Sequence, residues 1–300
     1  MSSVLDPAGS GAVEIARLFW AMAAAAAAIW LIVSLLIIHA IRRRKSAWSE
    51  RAGARLIAIG GGAVPAILLL LLLLSGMPVL SRQIAPAPAG ALRVHVVGEQ
   101  WWWRISYEAG ERRVNLANEL RLPRGRTTEV VLSSADVIHS FWVPALAGKV
   151  DMIPGRTTRL TLEPREAGTF RGACAEYCGA SHARMALDVV VMEPDEFEGW
   201  ILAQEQPAVA AGDPRAFISA GCGGCHTVRG TTARGTIGPD LTHVGSRMSL
   251  AAGVLPNSLA ELQRWIANPQ HIKPGALMPP FGMLPADDVR QVVAYVQALR

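Results

Sequence analysis

The stretch CAEYCGASHARM, residues 174–185, decides the fold and chemistry of the central part of this chain. It brings Cys174, Cys178, His182 and Met185 into one short segment, and His139 stands upstream in DVIHSFWVP. Thiolates, imidazoles and a thioether are the soft and borderline ligands that copper prefers. A turn between strands can carry the first four ligands while an adjacent strand supplies His139. The pattern therefore predicts a copper site for electron transfer.

Three other interpretations of these residues stay open on the pattern alone. A structural disulfide between the cysteines is typical of an oxidising compartment, but it leaves both histidines and the methionine unexplained. A zinc site is disfavoured because a thioether is a poor zinc ligand. A thiol copper chaperone uses the same cysteine spacing with a distant histidine, but it does not need the histidine and methionine that follow so closely.

Short runs rich in Val, Thr and aromatic residues surround the copper motif, and Gly and Pro separate them. LRVHVVGEQWWWRISY, TEVVLSS, TTRLTLEP and MALDVVVME have the length and spacing of strands in a small sandwich or barrel. We therefore expect residues 91–193 to form one β domain.

The chain as a whole is too apolar for an ordinary soluble protein, with 51% hydrophobic and 18% charged residues and a mean hydropathy of +0.28. Residues 18–41 and 56–81 carry no Asp, Glu, Lys or Arg. As helices, both segments are longer than the roughly 30 Å hydrocarbon core of a bilayer. We expect residues 1–90 to be a two-span membrane anchor, because a cleaved signal peptide would not be followed by a second span.

Basic residues concentrate in the loop between the two predicted spans. Residues 42–55 hold six Lys and Arg residues and one Glu, so this loop alone accounts for the formal net charge of +5. Nucleic-acid binding and intrinsic disorder are therefore not expected. The positive-inside rule places the loop in the cytoplasm, and both the N-terminus and the long C-terminal part on the outer face.

A second cofactor motif follows a predicted linker, residues 194–211, which begins with a short predicted helix from Asp195 to Gln204. Within the domain expected over residues 212–300, Cys222-Gly-Gly-Cys225-His226 is the attachment motif of a c-type haem. Both thiols bond to the haem vinyl groups, and the adjacent histidine binds the iron. A thioredoxin-like redox pair is the competing interpretation, but the histidine and the absence of a βαβ pattern argue against it.

A thioether is the expected second iron ligand, because it raises the potential into the range of electron transfer. Met248, Met278 and Met283 are the candidates. Met278 lies in the irregular stretch IKPGALMPPF, between a helix that ends near Pro269 and an amphipathic helix that follows Leu284. Such a loop is free to approach the far face of the haem, so we predict Met278 as the ligand.

Together these features resemble cytochrome c oxidase subunit II, a two-span anchor followed by a cupredoxin domain, here with a fused class I cytochrome c domain as in caa3-type haem–copper oxidases. The resemblance runs from the first span to about Pro194. It implies a binuclear copper centre (CuA), and the implied ligands are bridging Cys174 and Cys178, one capping histidine for each copper (His139 and His182), Met185 as a weak ligand, and the backbone carbonyl of Glu176. It also implies that the Glu176 carboxylate contacts a magnesium ion at the junction with subunit I.

The aromatic run Gly98–Trp103 matches a run in that family, where the first tryptophan lies over the copper and receives the electron from cytochrome c. That position is Trp101. If the whole run is strand, alternation sends Trp101 and Trp103 to one face and Trp102 to the other, and we expect Trp102 to enter the core.

Two positions depart from the family pattern. The family usually has His where Glu99 stands, and it commonly has a Glu seven residues before the Pro of the second span, where this chain has Ala58. Residues 56–81 contain no carboxylate. Uptake of protons through this part of the chain is therefore not implied by the resemblance.

The resemblance implies a subunit that takes electrons from a cytochrome c or a similar donor, through haem c and CuA, to subunit I, where oxygen becomes water. The implied partners are oxidase subunits I and III and the lipid bilayer. The implied location is a bacterial inner membrane, with the two redox domains in the periplasm. The alternatives are a CuA subunit of a nitric oxide reductase and, in a different class, a membrane copper-delivery protein, which has no use for a covalent haem.

Overall fold

A computed structural model describes residues 5–42, 49–109, 112–209 and 212–300. Its helices are α1 (Ser10–Arg42), α2 (Glu50–Ala58), α3 (Val64–Ile84), α4 (Pro194–Glu205), α5 (Arg215–Ser219), α6 (Leu259–Ala267), α7 (Pro269–Ile272) and α8 (Ala286–Ala298). Its strands are β1 (Leu92–Glu99), β2 (Trp102–Ala109), β3 (Arg112–Ala117), β4 (Glu119–Pro123), β5 (Thr128–Ser134), β6 (His139–Trp142), β7 (Val150–Met152), β8 (Thr158–Leu162), β9 (Gly168–Cys174), β10 (Ala186–Met192), β11 (Ser249–Leu250) and β12 (Leu255–Pro256).

Among the described residues, two helical segments are long and apolar enough to cross a membrane. The first is α1, with 33 residues, and the second runs from α2 to α3 through a π-helical turn, Ile59–Ala63, that contains three glycines. Glycine weakens a regular helix, so a local change of hydrogen-bond pattern is expected there. The prediction of two apolar helices is confirmed; residues 43–48 of the basic loop lie outside the described residues.

The residues just before α1 are fixed to the β domain. The amides of Ala8 and Gly9 donate to the carbonyl of Ala145, at 2.7 and 3.0 Å, and Gly9 forms a bridge with Pro164. A Cβ at Gly9 would lie 2.5 Å from the carbonyl oxygen of Leu146, so only glycine allows this approach.

The β domain is a sandwich of two five-stranded sheets, with strand orders β3-β2-β1-β5-β8 and β4-β10-β9-β6-β7. Alternate residues of β1 are buried, as expected for a strand with one face on the core. The pairs β1–β5 and β4–β10 are parallel, whereas the other neighbours are antiparallel. The predicted sandwich architecture is confirmed.

The first part of the predicted linker is ordered and belongs to this domain. Helix α4 places Phe197 and Ile201 in the core of the sandwich, where Phe197 packs against Tyr107. Proline at its first position and acidic residues in its first turn favour the start of the helix.

The expected orientation of the tryptophan run is wrong. The extended run breaks at Gln100 and Trp101, so Trp101 lies in the turn between β1 and β2 and only Trp102 and Trp103 belong to a strand. Alternation then sends Trp103 into the core, where it is 0% exposed and packs edge-on against Phe141, while Trp102 lies half-buried under the guanidinium of Arg104.

Because Trp103 is completely buried, we expect the free energy of unfolding to depend more on Trp103 than on Trp102. We expect Trp103→Ala to lower the free energy of unfolding by about 3–5 kcal/mol, because it leaves a large cavity in the sandwich. Trp102→Ala is the matched control and should cost much less. Chemical denaturation of the detergent-solubilised chain, followed by circular dichroism, measures both; equal losses would contradict the assignment.

The C-terminal domain is helical and has its own core. Its largest helix, α8, buries Val289, Val292, Val293 and Val296, as the amphipathic pattern predicts. The predicted cap of α6 is also present, since the Ser258 hydroxyl accepts from the amide of Glu261. The short hairpin β11–β12 was not predicted.

Candidate electron-transfer sites

Neighbouring strands gather the predicted copper ligands at one end of the sandwich. His139 opens β6 and Cys174 closes β9, and these strands pair in antiparallel register. Residues 175–185, here called the copper turn, connect β9 to β10 and carry Cys178, His182 and Met185.

The donor atoms of these five residues lie close together. Sγ of Cys174 is 3.8 Å from Sγ of Cys178 and 3.8 Å from Nδ1 of His139. Sγ of Cys178 is 3.5 Å from Nδ1 of His182 and 3.9 Å from Sδ of Met185. The carbonyl of the sixth predicted ligand, Glu176, is 3.2 Å from Sγ of Cys174. All six predicted ligands therefore converge on one place.

This donor set fits copper and not a disulfide. Both cysteines are free and buried. Two metal ligands about 2.3 Å from a tetrahedral ion are about 3.8 Å apart, which matches the sulfur–sulfur distance. The contact with Cys178 lowers the pKa of Cys174, which favours the thiolate that a metal binds.

A carboxylate orients the buried histidine ligand. Nε2 of His139 lies 2.8 Å from Oδ1 of Asp136, so that Nδ1 faces the sulfur atoms. A hydrogen bond of this kind fixes the ring and the tautomer of a metal-binding histidine. Gly98 on β1 makes room for the ring, since a Cβ there would lie 2.8 Å from its Cδ2 atom.

The histidine of the haem motif is prepared to bind a metal through one nitrogen. Nδ1 of His226 lies 2.7 Å from the carbonyl of Pro239, which leaves Nε2 for the iron. Burial lowers the pKa of His226 and so favours the neutral ring that binds iron. Cys222 and Cys225 are both free thiols, as covalent attachment of a haem requires. These residues fit a haem c.

The three candidate methionines differ in their surroundings. Met278 is half-buried and packs against the core of the helical domain. Met248 is 43% exposed and Met283 is 88% exposed. A ligand on the far side of a haem must be held by its domain, and only Met278 of the three packs in this way.

Comparisons with known proteins match both parts of the chain. Residues 108–192 match the family described as cytochrome C oxidase subunit II, periplasmic domain, and residues 213–300 match the cytochrome c family. The chain therefore combines a cytochrome c oxidase subunit II domain with a cytochrome c domain. The first family implies copper and the second implies haem c. The donor set around Cys174 and Cys178 suits copper, and the residues of the motif Cys222–His226 suit a haem c.

Two sequence relatives agree with this assignment. A cytochrome c oxidase subunit 2 of Alkalihalophilus pseudofirmus is 37% identical over 213 residues, which cover 69% of this chain and 61% of the relative. One from Bacillus sp. (strain PS3) is 29% identical over 223 residues, covering 69% and 62%. The periplasmic domain of subunit II of cytochrome oxidase of Bradyrhizobium japonicum is 31% identical, with a TM-score of 0.37, and covers 40% of this chain and 97% of that structure. The chain thus spans about three fifths of the length of the first two relatives.

Trp101 lies between the subunit II domain and the cytochrome c domain. Its Nε1 donates to the carbonyl of Cys178 at 3.0 Å, and the side-chain Nε2 of Gln100 donates to the same carbonyl at 2.7 Å. On the other side, a Cβ at Gly275 would lie 2.5 Å from Cη2 of the Trp101 ring. Trp101 is only 8% exposed. One indole therefore contacts both the copper turn and the stretch 272–281, here called the methionine loop.

A buried lysine in the methionine loop was not predicted from the sequence. Lys273 is 3% exposed, and its ammonium donates to the carbonyl of Ala251 at 3.0 Å. Burial lowers its pKa to about 7. Since a lysine between Ile272 and Pro274 has no periodic or motif signal, only the folded structure shows that it is buried.

This pKa predicts a dependence of stability on pH. Between about pH 7 and about pH 10.4 the unfolded chain binds a proton at Lys273 that the folded chain does not, so stability rises with pH. We expect Lys273→Met to be more stable than the native chain near pH 7, with a difference that shrinks as the pH approaches 10. Thermal midpoints of the solubilised chain at both pH values test this; a difference independent of pH would contradict it.

Proposed function

We propose that this chain is the subunit through which electrons enter a caa3-type haem–copper oxidase. In this proposal electrons pass from an external donor to the cytochrome c domain, then to the subunit II domain, and then to subunit I, where oxygen is reduced to water. The observation that carries the proposal is the position of Trp101, which contacts the copper turn on one side and Gly275 on the other.

In the copper domain we assign Cys174 and Cys178 as bridging thiolates, His139 and His182 as capping ligands, Met185 as a weak ligand and Glu176 as a carbonyl ligand. A binuclear copper centre held by these residues would supply one-electron chemistry. The protein excludes water from it, since both cysteines and His139 are buried. The carboxylate of Glu176, which is half-buried, remains a proposed magnesium ligand at the junction with subunit I.

In the cytochrome c domain we assign Cys222 and Cys225 to covalent attachment of the haem, and His226 and Met278 to its iron. Pro239 holds the ring of His226 through its carbonyl, at 2.7 Å from Nδ1. A Cβ at Gly238 would lie 2.6 Å from Cε1 of the same ring, so the GPDL segment is shaped to the histidine. A thioether ligand favours reduced iron and raises the potential.

We place both redox domains on the periplasmic face of a bacterial inner membrane, with subunits I and III as partners. The positive-inside rule supports this orientation. The bridge from Gly9 to Pro164 also supports it, because it requires the N-terminal end of α1 to lie on the same side as the β domain.

Replacing Trp101 tests the proposed route. Trp101→Ala should slow electron transfer from the haem domain to the copper domain by at least about tenfold, while both metal spectra stay intact. Arg126→Met, which removes an ion pair with Glu198 on the surface of the sandwich, should leave the rate unchanged. Stopped-flow reduction with separate haem and copper absorbance measures both variants. An unchanged rate in Trp101→Ala would mean that electrons reach the copper by another route.

The terminal acceptor is tested with the chain purified together with its partner subunits. Supplied with a reduced c-type cytochrome, the complex should consume oxygen. Consumption of nitric oxide without oxygen would instead assign the chain to a nitric oxide reductase. A purified chain that carries copper but no covalent haem would favour copper delivery.

A further inference from the structure

The copper turn donates hydrogen bonds to the methionine loop of the cytochrome c domain. The Ser181 hydroxyl donates to the carbonyl of Pro274 at 2.7 Å, and Nη1 of Arg184 donates to the carbonyl of Ile272. Ser181 immediately precedes one copper ligand, and Arg184 immediately precedes another. The segment that holds the copper ligands therefore also holds the segment that leads to Met278.

These contacts surround the place where Trp101 meets Gly275. Gly275 has a φ of +84° and approaches the indole so closely that no side chain fits between them. Pro274, held by Ser181, is its neighbour along the chain. The hydrogen bonds from Ser181 and Arg184 therefore fix the distance between the methionine loop and the indole of Trp101.

A second set of contacts ties the hairpin β11–β12 to the sandwich. The amide of Ala186, the first residue of β10, donates to the carbonyl of Ala252 at 3.0 Å, and Arg171 donates to the carbonyl of Gly253 at 3.0 Å. The hairpin loop holds Ala251 and Ala252 at φ values of 53° and 62°, in the left-handed region that a non-glycine residue seldom adopts. This conformation turns the loop carbonyls toward their donors.

Two side chains at the edge of the sandwich complete this set. Oε2 of Glu119 accepts from the amide of Met248 at 2.8 Å, and the Ser249 hydroxyl donates to Asp188. Nζ of Lys273 joins the two contact regions within the cytochrome c domain, because it donates to the carbonyl of Ala251 in the hairpin at 3.0 Å. A hydrogen bond thus connects the methionine loop with the hairpin on the surface of the cytochrome c domain that faces the copper domain.

The burial of these groups indicates a permanent interface. Ser181 is 1% exposed, Ala252 1% and Lys273 3%, although all three regions lie on the domain surfaces that meet. Separation of the domains would exchange each of these hydrogen bonds for one to water and lose the net stabilisation that each provides. The contact also leaves the indole of Trp101 almost fully covered, at 8% exposed.

We propose that Ser181 and Arg184 are positioning residues that latch the methionine loop onto the copper turn, so that the cytochrome c domain is docked permanently and covers Trp101. This proposal rests on the proposed function, because it assumes that electrons pass from the docked cytochrome c domain to the copper domain. The latch sets the rate of that exchange and prevents an external donor from reaching the indole directly.

The test compares Ser181→Ala/Arg184→Met with Arg126→Met in the metal-loaded full chain. Arg126 is the matched control, since its guanidinium pairs with Glu198 on the surface of the sandwich, at 2.8 Å. Hydrogen exchange at the backbone amide of Ala186 reports docking independently of electron transfer, because this amide donates to the carbonyl of Ala252 in the cytochrome c domain. In the double variant we expect this amide to exchange about tenfold faster or more, as loss of a charge-assisted hydrogen bond allows. In the control it should be unchanged.

The same variants are measured by stopped-flow reduction. We expect the double variant to transfer electrons between the domains at least about tenfold more slowly, with both metal spectra intact, and Arg184→Lys to recover part of the rate because it keeps a donor. Faster exchange of the Ala186 amide together with slower transfer supports the latch. Unchanged exchange and an unchanged rate overturn it.

Ser181 and Arg184 adjoin proposed copper ligands, so their replacement can disturb copper binding. A third variant therefore weakens the docking at a site away from these ligands. Ser249→Ala removes the contact with Asp188 and is outside both metal motifs. It should also speed exchange at Ala186, by a smaller factor, with normal spectra. If neither this variant nor the double variant affects exchange, the latch is wrong. If the unaltered chain shows no transfer between its domains although Ala186 is protected, the proposed function fails and the docking stands.

Discussion

The Cys178→Ser variant is expected to keep its covalent haem and to lose the mixed-valence copper spectrum completely. Sγ of Cys178 is the only donor atom of the site within 4 Å of a second sulfur, an imidazole nitrogen and a thioether at once, at 3.8, 3.5 and 3.9 Å, among the described contacts. A hydroxyl does not replace a bridging thiolate toward a soft metal. Electron paramagnetic resonance of the copper-loaded chain measures the result.

Tyr177→Phe is the control for this variant, because Tyr177 adjoins Cys178 in the copper turn but its side chain is 76% exposed. It should leave the spectrum intact. A mixed-valence spectrum that survives in Cys178→Ser would remove the binuclear assignment.

The Met278→Ala variant is expected to keep its haem attached through Cys222 and Cys225 but to bind external ligands such as imidazole or carbon monoxide. Its potential should fall, because the thioether that favours reduced iron is absent. Reduction of the haem by an external donor should then slow, whereas the driving force from the haem to the copper domain increases, because electrons flow toward the higher potential. Absorbance titration with the external ligand and a redox titration measure the two effects.

Met248→Ala and Met283→Ala are the controls for the methionine assignment. Both side chains are more exposed than that of Met278, at 43% and 88%. Neither variant should open the haem to external ligands. If Met248→Ala or Met283→Ala does so while Met278→Ala does not, the ligand has been assigned to the wrong methionine.

The sequence predicts those parts of the structure that depend on local chemistry. The predicted copper ligands come from one short segment and one upstream histidine, so their convergence follows from a turn and two neighbouring strands. The helix α8 follows from the spacing of its valines, and the cap of α6 from Ser258 and Glu261. Each of these features needs only a few residues to be specified.

The features that the sequence did not predict depend on the backbone path or on contacts between domains. The run of three tryptophans suggested one continuous strand, and the break before Trp102 moved Trp103 into the core. The pairing of Ser181 with Pro274 joins residues 93 positions apart, and its acceptor is a backbone carbonyl. A carbonyl acceptor leaves no signal in residue type, so the docking of the domains could not be inferred.

The rate at which electrons pass between the two domains of the unaltered chain tests the account most directly. The haem is reduced rapidly in the copper-loaded, oxidised chain without partner subunits, and haem and copper absorbance are followed together. The account predicts that the haem signal decays and the copper signal rises with one shared first-order rate, independent of protein concentration, because the docked domains belong to one molecule. A rate that increases with concentration, or a copper centre that is reduced before the haem, would contradict it.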